Sequence, residues 1–151
     1  MKALLASVAI SLGLLSTPVL AADKGSADEA VAMVKKAAAK IKAEGKEKAF
    51  AAFADPANKE FHDRDLYIFV YDLNGVNLTH GNNPKMVGKN LLEMKDREGK
   101  PLIREMIDVA KTKGKGWVDY KWPNPVTQTV ESKSSYVEKV DDMLVGSGIY
   151  K

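Results

Sequence analysis

A chain of 151 residues with 23 basic and 20 acidic side chains has a net charge of only +3, and its lysines are spread along the length rather than clustered. That distribution gives no electrostatic footprint for nucleic acid or an anionic membrane, so nucleic acid is not an expected partner. There is no cysteine, which excludes disulfides, thiol nucleophiles, thiolate metal sites and covalent haem attachment, and leaves stability to packing alone.

Residues 1–21 read as a cleavable secretory signal. Lys2 supplies the positive start, Ala3 to Leu15 an apolar stretch interrupted by Ser7, Ser11 and Gly13, and Val19-Leu20-Ala21 the short residues that a signal peptidase needs. The apolar run breaks at Ser16-Thr17-Pro18 and falls short of the roughly 20 residues of a spanning helix. The expected address is therefore periplasmic, with an uncleaved membrane tether as the alternative. Lys2 is the only charge in the segment, so cleavage leaves 130 residues with 22 basic and 20 acidic side chains, a length that fits one domain over residues 22–151.

Beyond Asp23-Lys24-Gly25, Ser26 with Glu29 three residues on is the pattern of a capping box. Val31, Val34, Ala38 and Ile41 follow at helical spacing, with Lys35, Lys36, Lys40 and Lys42 outward, until Gly45 ends or kinks the helix. A second short helix from Lys46 to Phe53, anchored by Phe50 and Phe53, stops before Asp55-Pro56. From Asp65 the period changes. Leu66 to Tyr71 reads as one continuous strand running into Asp72-Leu73-Asn74-Gly75, where Asn-Gly supplies the positive φ angles of a hairpin returning over Val76 to His80. Lys85 to Gly99 has no sustained period and reads as a loop with short helical pieces. Pro101 opens a helix with the stripe Leu102, Ile103, Met106, Ile107 and Ala110, closed by Gly114 and Gly116. Trp117–Trp122, Val130–Val140 and Met143–Ile149 read as three further strands. The fold class is α+β: an antiparallel sheet of about five strands carrying helices on its side.

Strand alternation places Tyr67, Phe69 and Tyr71 on one face and Leu66, Ile68 and Val70 on the other. Val118, Tyr120 and Trp122 share a side, while Ser134 and Tyr136 face away from Lys133 and Ser135. Polar-tipped rings beside hydroxyls and a cation are what a small-molecule pocket requires; ordinary aromatic core is the competing reading. His80, at the end of the hairpin, is a candidate donor to a carboxylate. His62, beside Asp63 and Arg64, reads as solvated, and neither histidine has a partner at metal-ligand spacing. Asp72-Leu73-Asn74-Gly75 and Asp96-Arg97-Glu98-Gly99 put glycine too early for calcium loops and read as turns. Gly114-Lys115-Gly116-Trp117 is explained by helix termination rather than by phosphate binding, and no Gly-x-Ser-x-Gly or His-Glu-x-x-His is present. No catalytic residue, metal or cofactor is expected.

Several of these segments in order resemble the single Cache domain family, type-2 branch. They are Asp72-Leu73-Asn74-Gly75 leading to His80, Val87-Gly88-Lys89-Asn90-Leu91, Lys95-Asp96, Gly99-Lys100-Pro101-Leu102-Ile103, Gly116-Trp117-Val118-Asp119-Tyr120-Lys121-Trp122-Pro123-Asn124-Pro125, Lys133-Ser134-Ser135-Tyr136-Val137 and Val145-Gly146-Ser147-Gly148-Ile149-Tyr150. The resemblance runs from about Ala27 to the end. It implies an extracytoplasmic sensor with a long N-terminal helix packed on a PAS-like antiparallel sheet, a crossover helix and one pocket for small metabolites, often short organic acids. Carried onto this chain, the candidate ligand-binding residues are Tyr67, Phe69, Tyr71, His80, Tyr120, Trp122, Lys133 and Tyr136, with Lys133 or His80 neutralising a carboxylate. The family pattern has an aromatic near the start of the last strand, where this chain has Met143.

Family members sit between membrane helices in chemoreceptors or histidine kinases, whereas this sequence ends at Lys151. The expectation is a free-standing periplasmic binding module without its own output domain, serving a membrane receptor, kinase or transporter. A structural or interaction protein of the envelope is the alternative, and a small hydrolase using His80 a more distant one. N-terminal sequencing of the exported product should begin at Ala22; a product retaining the apolar segment would establish the tethered form instead.

Overall fold

The structure, a computed structural model, describes residues 23–151, so the export segment expected over residues 1–21 lies outside the described residues. Helix α1 (Ala27–Glu44) starts at a complete capping box: the Ser26 hydroxyl accepts the Glu29 N–H, and the Glu29 carboxylate accepts the Ser26 N–H at 2.8 Å. Its buried stripe is Ala30, Met33, Val34, Ala37, Ala38 and Ile41. Gly45, at φ 86°, supplies a backbone conformation that side chains resist, and divides α1 from α2 (Lys46–Ala54).

The aromatic run expected as one strand is two. β1 (His62–Asp63) and β2 (Leu66–Tyr67) form a small separate hairpin turning at Arg64-Asp65, and β3 (Phe69–Asp72) begins after Ile68. β4 (Asn77–His80) returns beside β3 as expected, but the turn chemistry differs. Only Gly75 takes positive φ, at 95°, while the Asp72 carboxylate accepts the N–H groups of Asn74 and Val76 at 2.9 Å each. An aspartate that satisfies the turn's own amides removes the need for a second left-handed residue at Asn74. A 3-10 turn at Pro84–Met86 and a loop lead to α3 (Leu102–Lys113), which ends at Gly114 in the left-handed conformation. The long strands β5 (Lys115–Pro123), β6 (Val130–Val140) and β7 (Met143–Tyr150) complete an antiparallel five-stranded sheet in the order β4-β3-β7-β6-β5.

Each face of the sheet has its own core. α1 and α2 cover Leu66, Ile68, Val70, Val140, Met143 and Val145, whereas α3 covers Tyr67, Phe69, Tyr71, Val118, Tyr120, Val137 and Leu144. The aliphatic and aromatic sides anticipated from alternation are these two cores. On β7 the α3 side alternates Leu144, Gly146, Gly148 and Tyr150. A Cβ on Gly146 would lie 2.3 Å from the Phe69 ring, and one on Gly148 would lie 2.1 Å from Ser135 Oγ and 2.9 Å from Lys133 Cε. The two glycines thin the centre of the sheet beneath Phe69 and Lys133. Gly146→Ala should destabilise the protein by roughly 1–3 kcal/mol in urea unfolding, because neither strand nor ring has room for the methyl; a loss below about 0.5 kcal/mol would mean that the ring moves freely.

Candidate functional site

A lysine in a strand ordinarily sends its ammonium to solvent, but Lys133 is 1% exposed. Antiparallel register sets it between Tyr120 on β5 and Tyr150 on β7. Its Nζ donates to the Tyr67 hydroxyl at 2.8 Å and lies 4.1 Å, 4.8 Å and 5.9 Å from the ring centroids of Tyr67, Tyr150 and Phe69. Ring faces attract a cation, but they do not neutralise it. No carboxylate oxygen comes within the 4.0 Å of an ion pair among the described residues. Burial therefore pulls the Lys133 pKa from 10.5 down to about 7, opposed by the more distant charge of Asp65.

His80 ends β4 opposite Phe69 and is buried. Its Nδ1 accepts the backbone N–H groups of Asn82 and Asn83 at 3.2 Å and 3.0 Å. Both partners are donors, so the ring proton sits on Nε2. Burial, with the charge of Lys133 adding to it, lowers the His80 pKa from 6.5 to about 3, and the ring stays neutral at physiological pH. It packs against Tyr67, Phe69 and Trp122 at centroid separations of 5.2 Å, 6.3 Å and 6.4 Å.

These rings surround a cavity of about 10 Å³, room for one water molecule. Tyr67, Phe69, Tyr71, His80, Tyr120 and Trp122 line its sheet side, and Leu102, Ile103 and Met106 of α3 close the other. The phenols are wired into the fold: Tyr120 and Ser135 share a hydrogen bond of 2.9 Å, Tyr67 and Tyr150 one of 3.4 Å, and Tyr150 donates to the Pro123 carbonyl at 2.7 Å. Burial pushes the Tyr67, Tyr71 and Tyr120 hydroxyls up, so all three remain protonated donors. The cavity thus has one end of neutral O–H and N–H groups and one apolar end.

Six of the eight residues singled out from sequence line this cavity. Lys133 stands one hydrogen bond behind it, through Tyr67. Tyr136 does not belong with them: it lies on the α1 side, 5.6 Å from the Trp117 ring, with its hydroxyl donating to Glu138 at 2.8 Å. An odd spacing from Lys133 along one strand puts the two on opposite faces. His62, expected in solvent, is half-buried with Nε2 2.9 Å from the Gly81 carbonyl oxygen. Met143 is buried on the α1 side, so its departure from the family pattern falls away from the cavity. Sequence reasoning missed the α3 wall, whose stripe reads as plain core, and Tyr150, which shares the glycine face of β7.

The sequence profile of the Cache domain family matches residues 24–151. The chain belongs to the Cache domain family. Curated relatives of this Cache domain include sensor histidine kinase MctS of Rhizobium johnstonii, 37% identical over 91 residues covering 59% of this chain and 20% of the relative, and methyl-accepting chemotaxis protein McpP of Pseudomonas putida, 32% identical over 91 residues covering 59% and 17%. The chain therefore spans a fifth or less of the length of these relatives. Among solved structures, a methyl-accepting chemotaxis protein from Vibrio parahaemolyticus superposes with a TM-score of 0.71 at 27% identity, covering 82% of this chain and 86% of that one. A Cache chemosensory domain described for its carboxylic acid recognition gives 0.69 at 26% identity, covering 82% and 91%. This Cache domain is a ligand-sensing domain of the class found in chemoreceptors and histidine kinases, and that class is extracytoplasmic.

His80 should show a single Nε2–H tautomer in nitrogen-detected NMR, with no titration between pH 8 and about pH 5. The unfolded chain takes up this proton near pH 6.5 and the folded one only near pH 3. His80 therefore lowers stability as the pH falls through that window. A midpoint near 6.5 in the folded protein would contradict the buried geometry.

Proposed function

We propose that this domain binds a short monocarboxylic acid in the cavity between the aromatic sheet face and α3, and that it does so as an exported protein cleaved after Ala21. The observation that carries the reading is the Lys133 ammonium, buried among rings with no carboxylate at ion-pair distance among the described residues. A buried charge of this kind is stabilised most by an anion that arrives with the ligand. His80 Nε2–H and the Tyr120 hydroxyl offer donors to the same carboxylate, the Tyr67 proton being turned toward Tyr150, and Leu102, Ile103 and Met106 meet a short alkyl tail. Because the cavity holds about one water, even an acid of two or three carbons needs the flexible Met106 and the half-buried Trp122 to move aside, and a sugar or dicarboxylate would need a larger displacement. The neighbouring Cache structure described for carboxylic acid recognition supports the ligand class. The relatives support a receptor or kinase of the cell envelope as the partner that reads the bound state.

A hydrolase built on His80 needs a carboxylate on the imidazole, but Nδ1 is taken by two backbone amides and no side-chain acid bonds Nε2 among the described residues. An interaction protein with a filled sheet face would need neither the cavity nor the buried ammonium.

Acetate and propionate should raise the melting temperature in a concentration-dependent manner, and succinate should not. Lys133→Met should abolish the shift while the unliganded protein keeps a cooperative melting transition. Saturating monocarboxylates that leave the melting temperature unmoved would overturn the proposal; a full shift in Lys133→Met would remove the lysine from it.

A further inference from the structure

We propose that Asp65 is a positioning residue that ties the charge at Lys133 to the start of α1, so that the hairpin turn at Arg64-Asp65 carries occupancy of the cavity to the N-terminal end of that helix. The proposal rests on the ligand reading only for the identity of the incoming charge. Asp65 is 2% exposed. Its Oδ1 accepts the Gly25 N–H at 2.8 Å, immediately before the Ser26 cap of α1, and its Oδ2 has no hydrogen-bond partner among the described residues. A buried carboxylate with an idle oxygen is costly unless a cation offsets it. The buried cation bonded to the same hairpin is Lys133: its ammonium donates to the hydroxyl of Tyr67, two residues beyond Asp65, and lies over Tyr150, and the opposite charge of Asp65 favours its protonated form.

The same turn grips the helix from outside. Arg64, held at φ 55°, donates to the Lys24 carbonyl at 3.0 Å, to Glu29 at 2.7 Å and to Asp63 at 2.8 Å. Gly25 itself is pressed against Leu66, since a Cβ there would lie 2.3 Å from Leu66 Cγ. Two residues after Asp65, Tyr67 lines the cavity and accepts the Lys133 hydrogen bond. One six-residue hairpin therefore touches the cavity at one end and the start of α1 at the other. At pH 6, where Lys133 is charged in the empty protein, a ligand carboxylate that takes a share of that charge removes part of the counter-charge of Asp65. The turn then relaxes toward water, loosening the Gly25 hydrogen bond.

Amide hydrogen exchange over residues 24–30 at pH 6, where Lys133 carries its charge, read by mass spectrometry, tests this in two arms. In the ligand-free protein, Lys133→Met and its polar companion Lys133→Gln should each speed exchange there several-fold. In an Asp65→Asn background, which keeps an acceptor for Gly25 but carries no charge, the same changes should have no effect. Unchanged exchange in both lysine variants, or an equal effect in both backgrounds, would overturn the coupling, because a merely structural role for Asp65 is additive with Lys133. In the second arm, saturating propionate should speed the same amides in the parent and not in Asp65→Asn. Binding without that change also overturns the coupling. Absence of binding, with the lysine effect still abolished by Asp65→Asn, overturns the monocarboxylate reading and leaves the coupling standing.

Discussion

Removing an ammonium from water costs several kcal/mol unless its surroundings return most of that energy, and in this protein the ammonium is that of Lys133. One phenol hydroxyl and three ring faces return part of it. The remainder appears as a pKa drawn down to about 7, the mark of a group whose charged form is under-stabilised. Much of the neighbouring architecture follows from housing this side chain. Gly148 lacks a Cβ so that the lysine stem can pass, Tyr120 and Tyr150 flank it in register, and Asp65 supplies a distant opposite charge.

The sheet divides its labour by face. The α1 side is an aliphatic core fastened by an N-terminal capping box, and it supplies the packing that a chain without disulfides requires. The α3 side holds rings, glycines and a small void, an arrangement less efficient for stability and suited to a guest. Neutrality is also apportioned. Backbone amides at Asn82 and Asn83 fix the His80 tautomer, and burial keeps both His80 and the phenols uncharged, so Lys133 is the group near the cavity whose charge responds to physiological pH.

The parts of this arrangement that depend on local periodicity are legible in the sequence. The Ser26–Glu29 cap, the stripe of α1, the separation of Tyr67, Phe69 and Tyr71 from Leu66, Ile68 and Val70, and the three closing strands all follow from spacing. The site is only half legible, because its decisive features are long-range. That Lys133 is buried depends on β6–β7 register placing Tyr150 and Gly148 beside it, and that His80 is an Nε2–H donor depends on a turn that folds two amides back onto Nδ1. Tyr136 shows the opposite error: its chemistry resembles that of the other phenols, but strand parity assigns it to the helix α1 face. The break at Ile68, which detaches the Arg64-Asp65 hairpin from the main sheet, leaves no mark in a run of uniformly β-forming residues.

A charged cavity partner that is half-neutral when empty must gain a proton when an anion binds. Titration calorimetry with propionate in buffers of different ionisation enthalpy measures that proton directly. Uptake should approach one proton per ligand at pH 8 and fall close to zero at pH 6, where Lys133 is already charged. Binding with no proton linkage at pH 8 would contradict the claim that the buried lysine receives the carboxylate.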